Sequence, residues 1–291
     1  MRATQRSNPR RTIDVQSPIA YRHAVLNEIE MHYQIRGQGE PLLLLHGFTG
    51  SSGDWSHVFD LAELARRYRL IVPDLRGHGR SANPSGTLTH RQCADDVAAL
   101  LDHLDIDTFK AIGLSFGGNI LLHMSTRHPA RADAMVLVSS PSYFPDQARQ
   151  IMRTMTVESR SDEEWQIMRE RHVHGDMQIR ALWNQARAFA DRYDDINFTP
   201  AYLSTITART LLVAGDRDPL YPVGIFVEMY RAMPRSFLWI CPGGGHGPIF
   251  GAARNSFART ALSFVSDDWT AGPDGVQKRV SEPVSERRVT D

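Results

Sequence analysis

Three features of this chain predict an α/β fold. Short, wholly apolar runs recur along it, stretches with helical spacing lie between them, and one long segment interrupts the alternation. Runs that are apolar throughout fit strands buried on both faces, as in a mostly parallel sheet with helices on either side.

Residues 21–26 and 30–35 read as an opening pair of strands joined at Asn27 and Glu28. Pro41-Leu42-Leu43-Leu44-Leu45 is a buried strand ended by His46-Gly47. Residues 54–67 carry Trp55, Val58, Phe59, Leu61, Leu64 and Ala65 at helical spacing, and 69–72 form another strand stopped by Pro73. An amphipathic helix is expected over 93–104, a strand over 109–112, a helix over 119–127 and a strand over 134–139. From Pro141 to about residue 207 the pattern is mostly helical, rich in Met, Trp, Arg and Glu, with no buried strand. This segment interrupts the sheet and is expected to sit over it as a cap. Alternation resumes with strand 210–214, helix 223–233, strand 237–241 and helix 252–265. The expected division is a core of 18–140 and 208–268, a helical cap of 141–207, and disordered tails of 1–17 and 269–291.

Bulk composition narrows the function. The 291 residues carry 33 Lys and Arg against 33 Asp and Glu, so no net charge draws the chain to nucleic acid or an anionic membrane. No segment has the length and hydrophobicity of a membrane span or a secretory signal. The two cysteines, Cys93 and Cys241, suggest free thiols in a reducing compartment, and the expected location is cytoplasmic. The expected partner is a small molecule, and the chain is expected to be a monomer or homodimer.

The chemistry centres on Gly113-Leu114-Ser115-Phe116-Gly117-Gly118. A serine between glycines, after a strand and before a helix, reads as a nucleophile elbow, whose tight turn leaves the flanking positions no room for side chains. A serine hydroxyl is a weak nucleophile and needs a positioned base. In the order nucleophile, acid, histidine, the acid ends a strand beyond the elbow, where Asp216 and Asp218 follow 211–215. Of the twelve histidines only His246 lies beyond them, in a loop rich in glycine. Position alone does not choose between the two aspartates. The loop His46-Gly47-Phe48-Thr49-Gly50 follows a strand, so the backbone N–H groups of Phe48 and Phe116 are the expected oxyanion donors. His46 is expected to be structural. His172-x-His174 has the spacing of a metal pair but no carboxylate partner; both are expected at the surface, and no metal or organic cofactor is expected. Met152, Met155, Trp165, Met168, Met177, Trp183 and Phe189 supply apolar surface for a pocket or for packing the cap, with Trp183, Met152 and Tyr221 the expected pocket residues. Arg153, Arg169, Arg171, Arg180 and Arg187 read as solvated helix faces.

Taken together, His46-Gly47-Phe48, Asp74-Leu75-Arg76-Gly77-His78-Gly79-Arg80-Ser81, the elbow, Gly215-Asp216-Arg217-Asp218 and Gly245-His246 resemble the α/β-hydrolase superfamily, over about residues 20–268. The resemblance implies a sheet of about eight strands, the second antiparallel, with a lid inserted after strand six. It implies that Asp218, fourth in the Gly-x-x-Asp pattern, is the acid, and that residues 74–81 order the loop beside the site. Epoxide hydrolases and haloalkane dehalogenases of this fold carry aspartate at the elbow, where this chain has Ser115. The pyruvate-eliminating lyases of menaquinone synthesis carry an arginine after the elbow glycines, where Asn119-Ile120-Leu121 stands here. The nearest-looking members are carboxylesterases and enol-lactone hydrolases. The expected activity is hydrolysis of a carboxylic ester or lactone through an acyl-enzyme on Ser115, with His246 and Asp218. Carbon–carbon bond hydrolysis or elimination on the same fold is the alternative enzyme reading. A non-catalytic ligand receptor is the alternative of another class.

Overall fold

A computed structural model describes residues 21–266 and Trp269. The expected N-terminal tail, 1–17, lies outside the described residues, as does the expected C-terminal tail apart from Trp269. That residue packs its ring against Phe264 and Phe237, at 5.3 and 6.1 Å between centroids.

The strands are β1 (Tyr21–Leu26), β2 (Ile29–Arg36), β3 (Glu40–Leu45), β4 (Tyr68–Pro73), β5 (Phe109–Leu114), β6 (Ala132–Val138), β7 (Arg209–Gly215) and β8 (Ser236–Cys241). They form one sheet in the order β1-β2-β4-β3-β5-β6-β7-β8. The β1–β2 hairpin turns on Asn27 and Glu28, whose φ values of 46° and 66° are the left-handed pair that a two-residue turn requires. β2 runs antiparallel to β1 and β4, and the remaining pairings are parallel.

The apolar runs are strands because they have two faces to bury. Leu42 and Leu44 point to one face and Leu43 and Leu45 to the other, and all four are fully buried. Burying one such side chain contributes about 1.5–3 kcal/mol, so these runs anchor the sheet centre. Helices α1 (Leu61–Leu64) and α9 (Arg254–Val265) lie on the Leu42 face. Helices α2 (His90–His103), α3 (Phe116–Arg127) and α8 (Val223–Ala232) lie on the Leu43 face.

One expected helix is replaced by two short pieces. Over 54–67 the chain forms a 3-10 turn, Ser52–His57, and then α1. The apolar residues Trp55, Val58, Phe59, Leu61, Leu64 and Ala65 are all buried as their spacing requires. Asp60 breaks the run, because its carboxylate accepts the N–H groups of Ala62 and Glu63 and so caps a new helix.

Between β6 and β7 the chain inserts α4 (Asp146–Thr154), α5 (Asp162–Arg171), α6 (Asp176–Ala188) and α7 (Pro200–Leu203). The insert is tied to residues 77–80 of the body. Gly79 N–H donates to His172 Nδ1 at 2.9 Å, and Val173 N–H donates to Gly79 O at 3.1 Å. Gln178 Nε2 donates to Gly77 O at 3.0 Å. His172 is therefore not the surface residue expected from the sequence: it is 1% exposed, and its other nitrogen, Nε2, donates to Thr49 O. Both ring nitrogens are spent on backbone groups, which leaves neither for a metal. His174 is exposed, with Nε2 donating to Arg80 O.

Candidate active site

The parallel strands end at one edge, so the loops after β3, β5, β7 and β8 converge there. β4 and β5 flank β3 on opposite sides, and loops diverge at such a seam to leave a crevice. The 46–50 loop and the 113–118 turn straddle that seam.

Ser115 joins β5 to α3 with φ 49° and ψ −108°, a strained conformation held from several sides. Its N–H donates to Val138 O at 2.7 Å, and Ser140 Oγ donates to its carbonyl at 3.0 Å. The glycines answer to close approach. A Cβ on Gly113 would stand 2.7 Å from Gly118 backbone atoms, and one on Gly117 would stand 2.3 Å from Leu45 O. Ser115 Oγ lies 3.0 Å from His246 Nε2, and His246 Nδ1 lies 2.8 Å from Asp218 Oδ2. A carboxylate accepts only, so Nδ1–H donates to Asp218 and Nε2 is free to accept from the serine hydroxyl. The Asp218 side chain is fully buried, and its other oxygen accepts the N–H groups of Leu220 and Tyr221.

Asp216 has a different place. Its Oδ1 accepts Gly243 N–H at 2.6 Å, and Arg217 N–H donates to Gly244 O at 2.8 Å. These bonds tie the loop after β7 to the loop that carries His246. Gly247 N–H donating to Ser139 Oγ adds a third tie, to the end of β6.

The backbone N–H groups of Phe48 and Phe116 have no partner among the described residues. That of Phe116 opens α3, whose N-terminus carries partial positive charge. His46 shapes the Phe48 loop. Leu75 N–H donates to its Nε2 at 3.0 Å, which places the ring proton on Nδ1, facing Gly47 O at 2.8 Å. Burial pushes its pKa down, so this tautomer stays neutral. Asp74, from the 74–81 stretch, accepts Ser52 N–H and Arg80 N–H and braces the same loop.

A cavity of about 360 Å³ opens over these groups, lined by Ser115, His246, Phe48, Phe116 and Tyr221 from the body. Met152, Met155, Arg160, Trp183 and Phe189 line it from the insert. Trp183, Met152 and Tyr221 thus all reach it. Tyr221 packs edge-on against His246 at 5.3 Å, and burial pushes its phenol pKa far up, so it stands beside the imidazole uncharged. Trp165 and Met168 instead pack within the insert around Ile179 and Leu182, and Met177 is exposed. None of the five arginines singled out lines the cavity. Arg160 does, its guanidinium 4.5 Å from the Trp183 ring and bonded to Glu164. His90, Phe144 and Phe250 line it as well. Nothing in the spacing of these four marks them, because they come from separate loops and helices.

A family model described as the alpha/beta hydrolase fold matches residues 40–160. The chain is 37% identical over 107 residues to a soluble epoxide hydrolase of Corynebacterium sp., a stretch covering 37% of this chain and 37% of that protein. It is 26% identical over 269 residues to a pimeloyl-[acyl-carrier protein] methyl ester esterase of Vibrio vulnificus, covering 81% of this chain and 98% of that protein. A meta-cleavage product hydrolase from Pseudomonas fluorescens superposes with a TM-score of 0.68 at 19% identity, over 86% of this chain and 99% of that one. The sheet order, the family match over residues 40–160 and these likenesses show that the chain has the α/β-hydrolase fold. The chain spans about two fifths of the length of the first curated relatives it matches, and it carries Ser115 at its own elbow. No helix among the described residues is long and apolar enough to cross a membrane.

Proposed function

We propose that this protein is a serine hydrolase cleaving a carboxylic ester or lactone through an acyl-enzyme. The observation that carries the reading is the continuous array from Ser115 Oγ through His246 to Asp218, at 3.0 and 2.8 Å, open to an apolar cavity. The match over nearly the whole length of a methyl ester esterase supports an ester as the bond cleaved.

In this reading His246 Nε2 takes the Ser115 proton as Oγ attacks the carbonyl carbon. The developing oxyanion is met by Phe48 and Phe116 N–H, donors of a kind worth ~10²–10³-fold in turnover each. Asp218 holds the His246 tautomer and stabilises the imidazolium. The imidazolium protonates the leaving alcohol, and water deprotonated by His246 then attacks the acyl-enzyme and frees Ser115. The insert acts as a cap over the cavity, surrounding the hydrocarbon of the acyl group while its carbonyl stays within reach of the hydrolytic water. The chemistry needs no cofactor, the substrate is a small molecule, and a cytoplasmic location fits the unpaired Cys93 and Cys241.

The test is hydrolysis of a panel of p-nitrophenyl esters and lactones by the wild-type protein and by Ser115→Ala, with labelling by a fluorophosphonate probe. Ser115→Ala is expected to lower kcat by about 10⁴–10⁶-fold and to abolish labelling. Undiminished turnover in the variant overturns the reading. Absence of ester turnover beside cleavage of a vinylogous diketone replaces it with carbon–carbon hydrolysis.

A further inference from the structure

Among the polar groups that line the cavity and that the proposed reaction does not use is His90. His90 opens α2, is 2% exposed, and is walled by the rings of Phe116, Phe189 and Phe144 at 4.6, 4.8 and 5.8 Å. Its Nδ1 lies 2.8 Å from Asp195 Oδ2, and the carboxylate fixes the proton on Nδ1. Asp195 is itself held in place. Its carboxylate accepts His90 N–H at 2.8 Å and Arg91 N–H at 3.2 Å, and its carbonyl accepts His123 Nε2–H at 2.7 Å. Burial lowers the pKa of His90 although Asp195 opposes this, so the ring is neutral near pH 7.

That arrangement leaves His90 Nε2 as a lone-pair acceptor. The hydrogen bonds of His90 among the described residues run through its backbone N–H and Nδ1, and its ring lines the cavity that holds Ser115. An acceptor that a bound ligand would seal among aromatic walls favours a ligand that brings a donor and penalises one that brings only hydrocarbon. An amide would bring a carbonyl that also needs a donor, and the three rings around His90 offer none. A hydroxyl donates through the same oxygen that accepts, so one bond to Nε2 leaves no separate carbonyl stranded. The position selects the acyl half of the substrate. A leaving alcohol must lie against His246, whose side chain is 28% exposed, whereas His90 is 2% exposed and enclosed by three aromatic rings.

We infer that His90, positioned by Asp195, recognises a hydroxyl on the acyl chain, so that this site takes hydroxyacyl esters in preference to plain ones. The inference rests on the serine-hydrolase reading for the orientation of the substrate. It is tested by binding alone, in the Ser115→Ala protein, with methyl hexanoate and its positional hydroxy isomers as probes. At least one isomer is expected to bind roughly tenfold tighter than the plain ester, as one net hydrogen bond allows. His90→Phe in the same background is expected to erase that preference. Equal binding of all probes by Ser115→Ala overturns the inference, whether or not the His90 variant folds. A preference that survives His90→Phe overturns it too, since His246 Nε2 would then be the acceptor. If the wild-type protein cleaves no ester while Ser115→Ala still discriminates, the hydrolase reading falls and the recognition role of His90 stands. If plain and hydroxylated esters are cleaved and bound alike, the reverse holds.

Discussion

At the scale of single residues, two aspartates two positions apart have separate work. Asp218 holds His246, while Asp216 braces a turn through Gly243 N–H. In the proposed mechanism Asp218→Asn leaves the imidazole with the wrong tautomer, because an amide can donate where the carboxylate only accepts. It is expected to lower kcat on a p-nitrophenyl ester by about 10⁴-fold with little change in KM. Asp216→Asn keeps an acceptor for Gly243 and is expected to retain activity close to wild type. Equal losses in the two variants would assign the acid role wrongly. The distinction was only half legible in the sequence. Spacing placed both carboxylates after β7 and the Gly-x-x-Asp resemblance pointed to Asp218; the physical difference is the turn that buries one and exposes the other.

At the scale of elements, the insert meets the body through a buried histidine that its surface-like sequence context concealed. The residues around His172 are charged or exposed, so a periodicity argument places it in solvent; contact with the 77–80 loop, distant in sequence, buries it. Burial lowers its pKa from 6.5 to about 4, and that of His123 likewise to about 4. An unfolded chain protonates these rings near 6.5, the folded chain only near 4. Between those values the unfolded state holds more protons, so stability falls as pH falls, by up to about 1.4 kcal/mol per pH unit for each ring. Urea unfolding at pH 7, 6 and 5 should show the decline, and His172→Asn, which keeps an acceptor for Gly79 N–H, should make it shallower. A slope unchanged in that variant would remove His172 from the account. The two-part segment over 52–64 makes the same point about elements. Its apolar spacing was read correctly, and its break at Asp60 depended on a local carboxylate outcompeting the helix backbone.

At the scale of the whole molecule, Arg76 and Asp96 join the loop after β4 to α2 by a buried pair. Its Nε and Nη2 atoms lie 2.6 and 2.8 Å from the two carboxylate oxygens, and the side chains are 4% and 0% exposed. Asn27, in the β1–β2 turn, contributes a donor to Asp96 and a carbonyl to Arg76, so three elements share the knot. Asp96→Ala leaves a guanidinium buried without its counter-charge and is expected to cost about 3–5 kcal/mol in urea unfolding. Replacing both partners, as Arg76→Met with Asp96→Leu, is expected to cost far less, because no charge is then stranded. A double variant as unstable as the single one would show that the knot acts through packing.

The succession of strands along the chain, their apolar runs, the elbow and the chain order of Ser115, Asp218 and His246 are determined by the sequence itself. Each depends on neighbours a few residues away or on a pattern repeated along the chain. What only the tertiary structure decided is which groups meet across long separations. His90 meets Asp195, His172 meets Gly79, and Arg160 reaches the cavity beside Trp183. Such contacts depend on how the insert packs over the sheet edge, and a helix shows in its periodicity which face is apolar but not which distant loop that face will cover.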